Sequence, residues 1–320
     1  MNAWIIFQRM LILFAMMMVG FFSYRKGLLD NPSLKRISGL VVTIMNPLLI
    51  LDGVMGKEIP ADTSVVTQNI LLMILYYVIL LLISIPVARL LRVSKSEEYL
   101  YRLMMIFSNV GFMGIPVITS LYGDDCVLFI AFYILGYNLL LYTLGISLVD
   151  RSVAVSSTAD GKGKMQAGGF AAAAKKICNP GVIACLIAIL IFALRIRTPE
   201  PIAWFVNSMG GCAVPLSMVL IGASMAQQNF KTLFADKKTY LFLLIRMLVV
   251  PIIMALIMEQ FALHKQVAGV FGLMLAMPVG SIVVLLAQGR GANEQVCTRA
   301  SVISTLASVL TIPLIAIFLP

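Results

Sequence analysis

Ten apolar stretches, each near the ~20 residues a helix needs to cross a lipid bilayer, leave this chain few ways to fold. They lie at approximately 4–24, 36–56, 68–91, 101–121, 126–149, 177–195, 202–226, 238–262, 266–288 and 296–319. Inside a bilayer every backbone polar group needs an internal partner, so the choice is between helices and a closed barrel. The stretches lack the polar/apolar alternation of barrel strands. The chain therefore reads as an all-α integral membrane protein with ten transmembrane helices. Composition agrees: 61% of the 320 residues are hydrophobic and 12% charged, with a mean hydropathy of +1.00. No soluble core of this size hides that much apolar surface. The first stretch shows no small-residue cleavage site before Arg25-Lys26, so it reads as a retained span rather than a signal peptide.

Most connections are short. The exception, residues 150–176, is rich in Ser, Gly, Ala and Lys and reads as a flexible basic linker. It divides the chain into a first five-span unit, 1–149, and a second, 177–320. The net charge of +10 suggests nucleic acid only in a soluble protein; here it tracks topology. With Arg25, Lys26, Lys35 and Arg36 on one side, alternation brings Arg89, Arg92, Lys95 and Arg102 to that side. The linker's Arg151, Lys162, Lys164, Lys175 and Lys176 join them, then Lys231, Lys237, Lys238, Arg246, Arg290 and Arg299. Only Arg9, Lys57, Arg195, Arg197 and Lys265 fall opposite. The positive-inside rule makes the basic side cytoplasmic and leaves both termini outside.

An odd number of spans per unit means that, if the units are repeats, the second is inverted. Pro47-Leu48 and Pro215-Leu216 are 168 positions apart, as are Gly123 and Gly291. At that offset Val110 falls on Pro278. The segment Asn109-Val-Gly-Phe-Met-Gly-Ile-Pro116 puts two glycines, a proline and an amide inside span 4, and Pro278-Val-Gly-Ser281 interrupts span 9. A proline lacks the helix donor and clashes with the carbonyl one turn back, and glycine tolerates the bend. One such segment reads equally as a proline kink. Two at corresponding places predict inverted repeats whose broken helices cross, the arrangement by which transporters build a mid-membrane site.

Half-helix N-termini at such a crossing present unpaired N–H groups and a positive dipole end, a seat for an anion. The candidates are Asn109, Gly111, Gly114 and Pro116 in span 4, and Pro278, Gly280 and Ser281 in span 9. Asn109 either donates to a substrate carboxylate or satisfies backbone freed by the break. Arg246, about two turns into span 8, either faces a cavity or partner, or snorkels to the interface. Asn46 in span 2 and Asn138 in span 5 are further polar candidates. Ser217, Ser224, Ser304, Thr305 and Ser308 suit helix–helix hydrogen bonding as well as a substrate path. Asp52 and Glu259, near the outer face, read as solvated carboxylates rather than titrating groups.

Several classes find no support. The cysteines (Cys126, Cys178, Cys185, Cys212, Cys297) and the single His264 show no metal-ligand spacing. There is no Gly-x-x-x-x-Gly-Lys-Ser/Thr loop, and no catalytic carboxylate pair or serine–base arrangement within the spans. No enzyme and no cofactor are expected. A carrier driven by membrane potential, a proton or sodium is expected, with an anion-binding receptor that transports nothing as the alternative.

The ordered set of short motifs resembles the auxin efflux carrier family, whose bacterial members include malate and malonate permeases. It comprises Asn109 to Pro116 with Tyr122-Gly123, Val19-Gly20-Phe21 through Arg25-Lys26-Gly27-Leu28, and Asn46-Pro47-Leu48. Arg246 with Pro251, Pro278, Ser304-Thr305-Leu306 and Thr311-Ile312-Pro313 complete it. The resemblance implies two inverted five-span repeats, with a transport body of spans 3–5 and 8–10 moving against spans 1, 2, 6 and 7. It implies alternating access for small organic anions, mono- or dicarboxylates, in a bacterial inner (cell) membrane. Membrane lipids are the expected surroundings, a homodimer is left open, and nucleic acid is not a partner. In the plant members an asparagine at each crossing helps bind the substrate carboxylate. Asn109 matches one, but Met277-Pro278 stands where the other would be.

Overall fold

The computed structural model describes residues 3–55, 63–159, 180–227, 236–261 and 263–319. The first unit contains α1 (Ala3–Arg25), α2 (Asn31–Asp52), α3 (Thr63–Leu90), α4 (Lys95–Ile106), α5 (Val110–Tyr122) and α6 (Val127–Ser157). The second contains α7 (Pro180–Ala193), α8 (Glu200–Ala226), α9 (Lys237–Met258), α10 (Lys265–Ala276), α11 (Ser281–Gly289) and α12 (Glu294–Ala316). Among the described residues there is no strand, only one isolated two-residue bridge. Six helices, α2, α3, α6, α8, α9 and α12, are long and apolar enough to cross a membrane. The segment Leu11–Arg25 and helices α5, α7 and α10 are apolar but shorter. Large apolar side chains such as Leu71, Leu82, Trp204, Leu285 and Leu310 are well exposed, as a bilayer solvent permits.

Helix ends fall within a few residues of the sequence limits, with one extension. Helix α6 runs past Asp150 to Ser157, so the start of the expected linker is helical. Its remainder, from residue 160, lies outside the described residues. Local caps set the starts on the basic side. Asp30 accepts from the Ser33 amide at 2.8 Å ahead of α2. Ser94 and Glu97 form a reciprocal capping box at α4.

Prolines shape the spans in a shared way. Pro47, Pro116 and Pro251 each follow a five-residue π-helical segment: Val41–Met45, Val110–Gly114 and Ile245–Val249. In each case the carbonyl four residues before the proline, which its ring would strike, lies inside that segment. Widening the turn removes the clash without ending the helix.

Two sets of helices are tied together internally. Helices α1 and α8 touch backbone to backbone, since a Cβ on Gly20 would overlap the Val219 carbonyl and one on Gly222 the Met17 carbonyl. Helix α8 meets α2 where a Cβ on Gly210 would lie 2.8 Å from the Leu49 amide nitrogen. There Asn207 Nδ2 donates to Asp52 Oδ2 at 3.1 Å. Asp52 is 5% exposed, which corrects the expectation of a solvated carboxylate; Glu259 is exposed. The second set joins α4, α6, α9, α11 and α12 through polar contacts at their basic ends. Ser96 bonds Ser152 and Ser156, Arg290 pairs with Asp150, and Arg299 pairs with Asp236 at 3.2 Å. Asp236 also caps α9. Burial raises its pKa, but the Thr239 hydroxyl, the Lys238 amide and Arg299 outweigh burial and hold the carboxyl below its ordinary value.

Candidate functional site

Stretch 202–226 carries a two-residue turn at Gly211-Cys212, and two stretches, 101–121 and 266–288, are broken by longer non-helical runs. Helix α4 stops at Ile106, Phe107–Asn109 run outside the helix, and α5 begins at Val110. Helix α10 stops at Ala276, Met277–Gly280 are likewise non-helical, and α11 begins at Ser281. The interruptions meet as a short antiparallel bridge centred on Ser108 and Val279. The Asn109 amide donates to the Pro278 carbonyl at 2.8 Å, and the Gly280 amide to the Phe107 carbonyl at 3.0 Å. Helix α12 completes the pairing: the Val279 amide donates to Ser304 Oγ at 3.1 Å, and Ser301 Oγ donates to the Val279 carbonyl at 3.3 Å. Each break thus supplies the partners that the other needs away from water.

The first break falls earlier than the sequence suggested. Gly111 and Gly114 lie in the π turn that opens α5, and Pro116 in the α-helical part that follows. The unwound residues just before them contain no proline or glycine. Pro278 and Gly280, by contrast, are in the second break itself, and Ser281 is the exposed first residue of α11. Gly280 has a steric reason to be glycine: an added Cβ would sit 2.9 Å from the Ser108 carbonyl oxygen and 3.2 Å from that of Phe107.

Arg246 binds the crossing together. It is 1% exposed, so it does not snorkel. From the π segment of α9 its Nε donates to the Met104 carbonyl at 3.0 Å, near the C-terminal end of α4. Its Nη1 donates to the Met277 carbonyl at 2.6 Å, just past the end of α10, and Nη2 to Ser108 Oγ at 2.6 Å. Ser108 Oγ also shares a hydrogen bond with the Tyr76 hydroxyl at 2.8 Å, and that hydroxyl donates to the Met274 carbonyl at 3.5 Å. A cation thereby meets the negative ends of two helices at once.

The N-terminal ends of the second halves, α5 and α11, face the opposite situation. Their first-turn N–H groups have no intrahelical acceptor. Asn109 caps α5: its own carbonyl accepts from Met113 at 3.2 Å and Gly114 at 2.9 Å. Asn109 is 4% exposed, and its side-chain Nδ2 has no hydrogen-bond partner among the described residues. A buried unpaired amide donor is costly, about 1–3 kcal/mol, unless something else accepts from it. Gly111 and Phe112 are half-exposed beside it.

Asn46 and Asn138 lie outside the bridge. Asn46 sits half-buried next to Pro47 on α2, in the layer with α7 and α8. Asn138 Nδ2 donates to the Ile134 carbonyl one turn back in its own helix, at 2.8 Å. The sequence reading missed Ser108, Tyr76 and Ser301. Ser301 was findable, because it shares a helical face with Ser304, Thr305 and Ser308. Ser108 and Tyr76 carry no local signal.

A family model described as membrane transport protein matches residues 5–316, nearly the whole chain. No curated protein matches it.

Proposed function

This chain belongs to the auxin efflux carrier family of membrane transport proteins, and on that premise we propose a secondary transporter of small organic anions, mono- or dicarboxylates such as malate and malonate. The family is one of carriers rather than enzymes. The observation that carries the reading is Asn109: a buried amide whose Nδ2 has no acceptor among the described residues, at the positive end of a half-helix. A substrate carboxylate supplies that acceptor. It would also take the first-turn N–H groups of α5 at Gly111 and of α11 at Ser281. Arg246, bonded to the neighbouring Ser108 and otherwise to carbonyls, adds positive potential that favours an anion over a cation.

In this reading the ten segments are two inverted five-span repeats, residues 1–149 and 177–320, joined by the basic linker at 150–176. The matching interruption of the fourth span in each half supports it. The transport body is α3–α6 with α9–α12, moving against α1, α2, α7 and α8. The two sets of ties, glycine contacts on one side and polar clasps on the other, fit such a division. Alternating access follows if the crossing moves as a unit past α1 and α8. The basic face is cytoplasmic, both termini lie outside the cell membrane, and transport is driven by membrane potential or proton symport.

The test is equilibrium binding of labelled malate and malonate to purified wild-type protein and to Asn109→Ala. The proposal expects saturable binding to the wild type and at least a roughly tenfold loss in the variant, the equivalent of one hydrogen bond to a charged group at about 1.5–3 kcal/mol. Equal affinity in a folded Asn109→Ala removes this residue from the site.

A further inference from the structure

The carbonyl ends of the interrupted helices carry partial negative charge that a cation must balance. In broken-helix carriers, unwound carbonyls and half-helix C-termini are places where a coupling cation is held. In this chain those groups are already engaged. The carbonyls of Met104 and Met277 and the hydroxyl of Ser108 converge on the Arg246 guanidinium at 3.0, 2.6 and 2.6 Å. Two helix C-termini carry together about one negative charge, which one guanidinium neutralises. Tyr76 extends the shell by linking Ser108 to the Met274 carbonyl at the end of α10. The arginine's placement is built into α9 as well, through the π segment Ile245–Val249 that Pro251 requires.

Resting on the carrier reading above, we propose that Arg246 is a fixed cation in the seat of a coupling metal ion, so that this carrier operates without sodium. The acceptors that a sodium ion would need are bound by a charge that never dissociates. The consequence for transport is specific. A sodium-coupled carrier loads its anion together with a cation from solution; this one presents the anion with a positive charge that stays behind when the anion leaves. Anion movement is then electrogenic unless a proton accompanies it.

The experiment measures thermal unfolding of purified protein in choline, sodium and guanidinium chlorides of equal ionic strength, with counterflow in the presence and absence of sodium. Wild-type protein is expected to give the same Tm in sodium as in choline, and the same counterflow rate. Arg246→Ala is expected to melt lower in choline. Guanidinium at about five times its Kd is expected to raise that Tm by roughly 2–4 °C, while equimolar urea, planar but uncharged, does not. A sodium-dependent rise in wild-type Tm overturns the proposal. So does an Arg246→Ala protein that responds to guanidinium no better than to urea. Should Arg246→Ala fail to fold, the wild-type sodium comparison decides, with Arg246→Lys expected to retain sodium-independent counterflow at a reduced rate. The two readings fail separately. Counterflow that requires sodium removes the fixed cation and keeps the carrier; rescue by guanidinium without any counterflow keeps the fixed cation and removes the carrier.

Discussion

Gly280→Ala tests the crossing with one methyl group. An added Cβ would stand 2.9 Å from the Ser108 carbonyl oxygen and 3.2 Å from the Phe107 oxygen. Both neighbours are backbone, held in a bridge with no slack, so neither can rotate aside as a side chain would. Relief requires the two interruptions to separate. That breaks or lengthens the bonds from the Gly280 amide to Phe107 and from the Asn109 amide to Pro278, at 3.0 and 2.8 Å. A buried backbone group left unpaired costs about 1–3 kcal/mol, and two such losses put the destabilisation at roughly 2–6 kcal/mol. At about 2 °C per kcal/mol for a chain of this size, the Tm in detergent falls by about 4–12 °C. Gly39→Ala is the control. Gly39 is exposed within α2, with nothing within 4 Å of an added Cβ. Removing a helix glycine there is expected to leave stability unchanged or raise it by about 0.4–1 kcal/mol. Differential scanning fluorimetry of both variants settles the matter. A Gly280→Ala protein that melts with the wild type refutes the bridge as a rigid element.

Other consequences follow from separate parts of the structure. Gly222→Val would drive its side chain into the Met17 carbonyl, so α1 and α8 must part; the expected result is loss of monodisperse protein on size-exclusion chromatography, whereas Gly289→Ala, with nothing within 4 Å of its Cβ, remains monodisperse. Tyr76→Phe removes the hydroxyl between Ser108 and Met274 and is expected to cost about 1 kcal/mol in thermal or denaturant unfolding. The carboxyl of Asp236 titrates lower in the folded protein than in the unfolded chain, so its stabilisation is complete above the ordinary aspartate value near ~4 and disappears as pH falls through the lowered value. Asp236→Asn is therefore expected to melt below the wild type at neutral pH, and the gap is expected to close on acidification; a gap independent of pH contradicts the assignment.

Hydropathy located the helices, six of them long and apolar enough to cross a membrane, because a bilayer core imposes one length and one chemistry on every crossing segment. The second break was also legible, since Pro278 and Gly280 sit in it. The first was read a few residues late. Gly111, Gly114 and Pro116 look like a break in isolation, yet the glycines lie in a π turn and Pro116 in the α-helix after it, a conformation that accommodates the proline. The true interruption at Phe107–Asn109 has no breaker of its own and owes its shape to the facing non-helical segment at 277–280. Arg246 shows the same limit. A charge within a span announces itself, but its acceptors at Met104, Ser108 and Met277 are far away in sequence, and only the fold brings them to one guanidinium. Asp52 misled for a related reason. A carboxylate near a span end resembles a solvated group until α8 covers it and supplies Asn207.

On the proposal above, the crossing binds an organic anion and carries it across the membrane. Counterflow tests it most directly. Proteoliposomes are loaded with unlabelled malate, malonate or a monocarboxylate, diluted into labelled malate, and sampled over time. The expected result is entry that is accelerated by internal dicarboxylate, saturates with external concentration, and is lost in Asn109→Ala reconstituted at equal density. Saturable binding to the purified protein without entry into loaded vesicles would contradict it, and would identify the crossing as the site of a receptor.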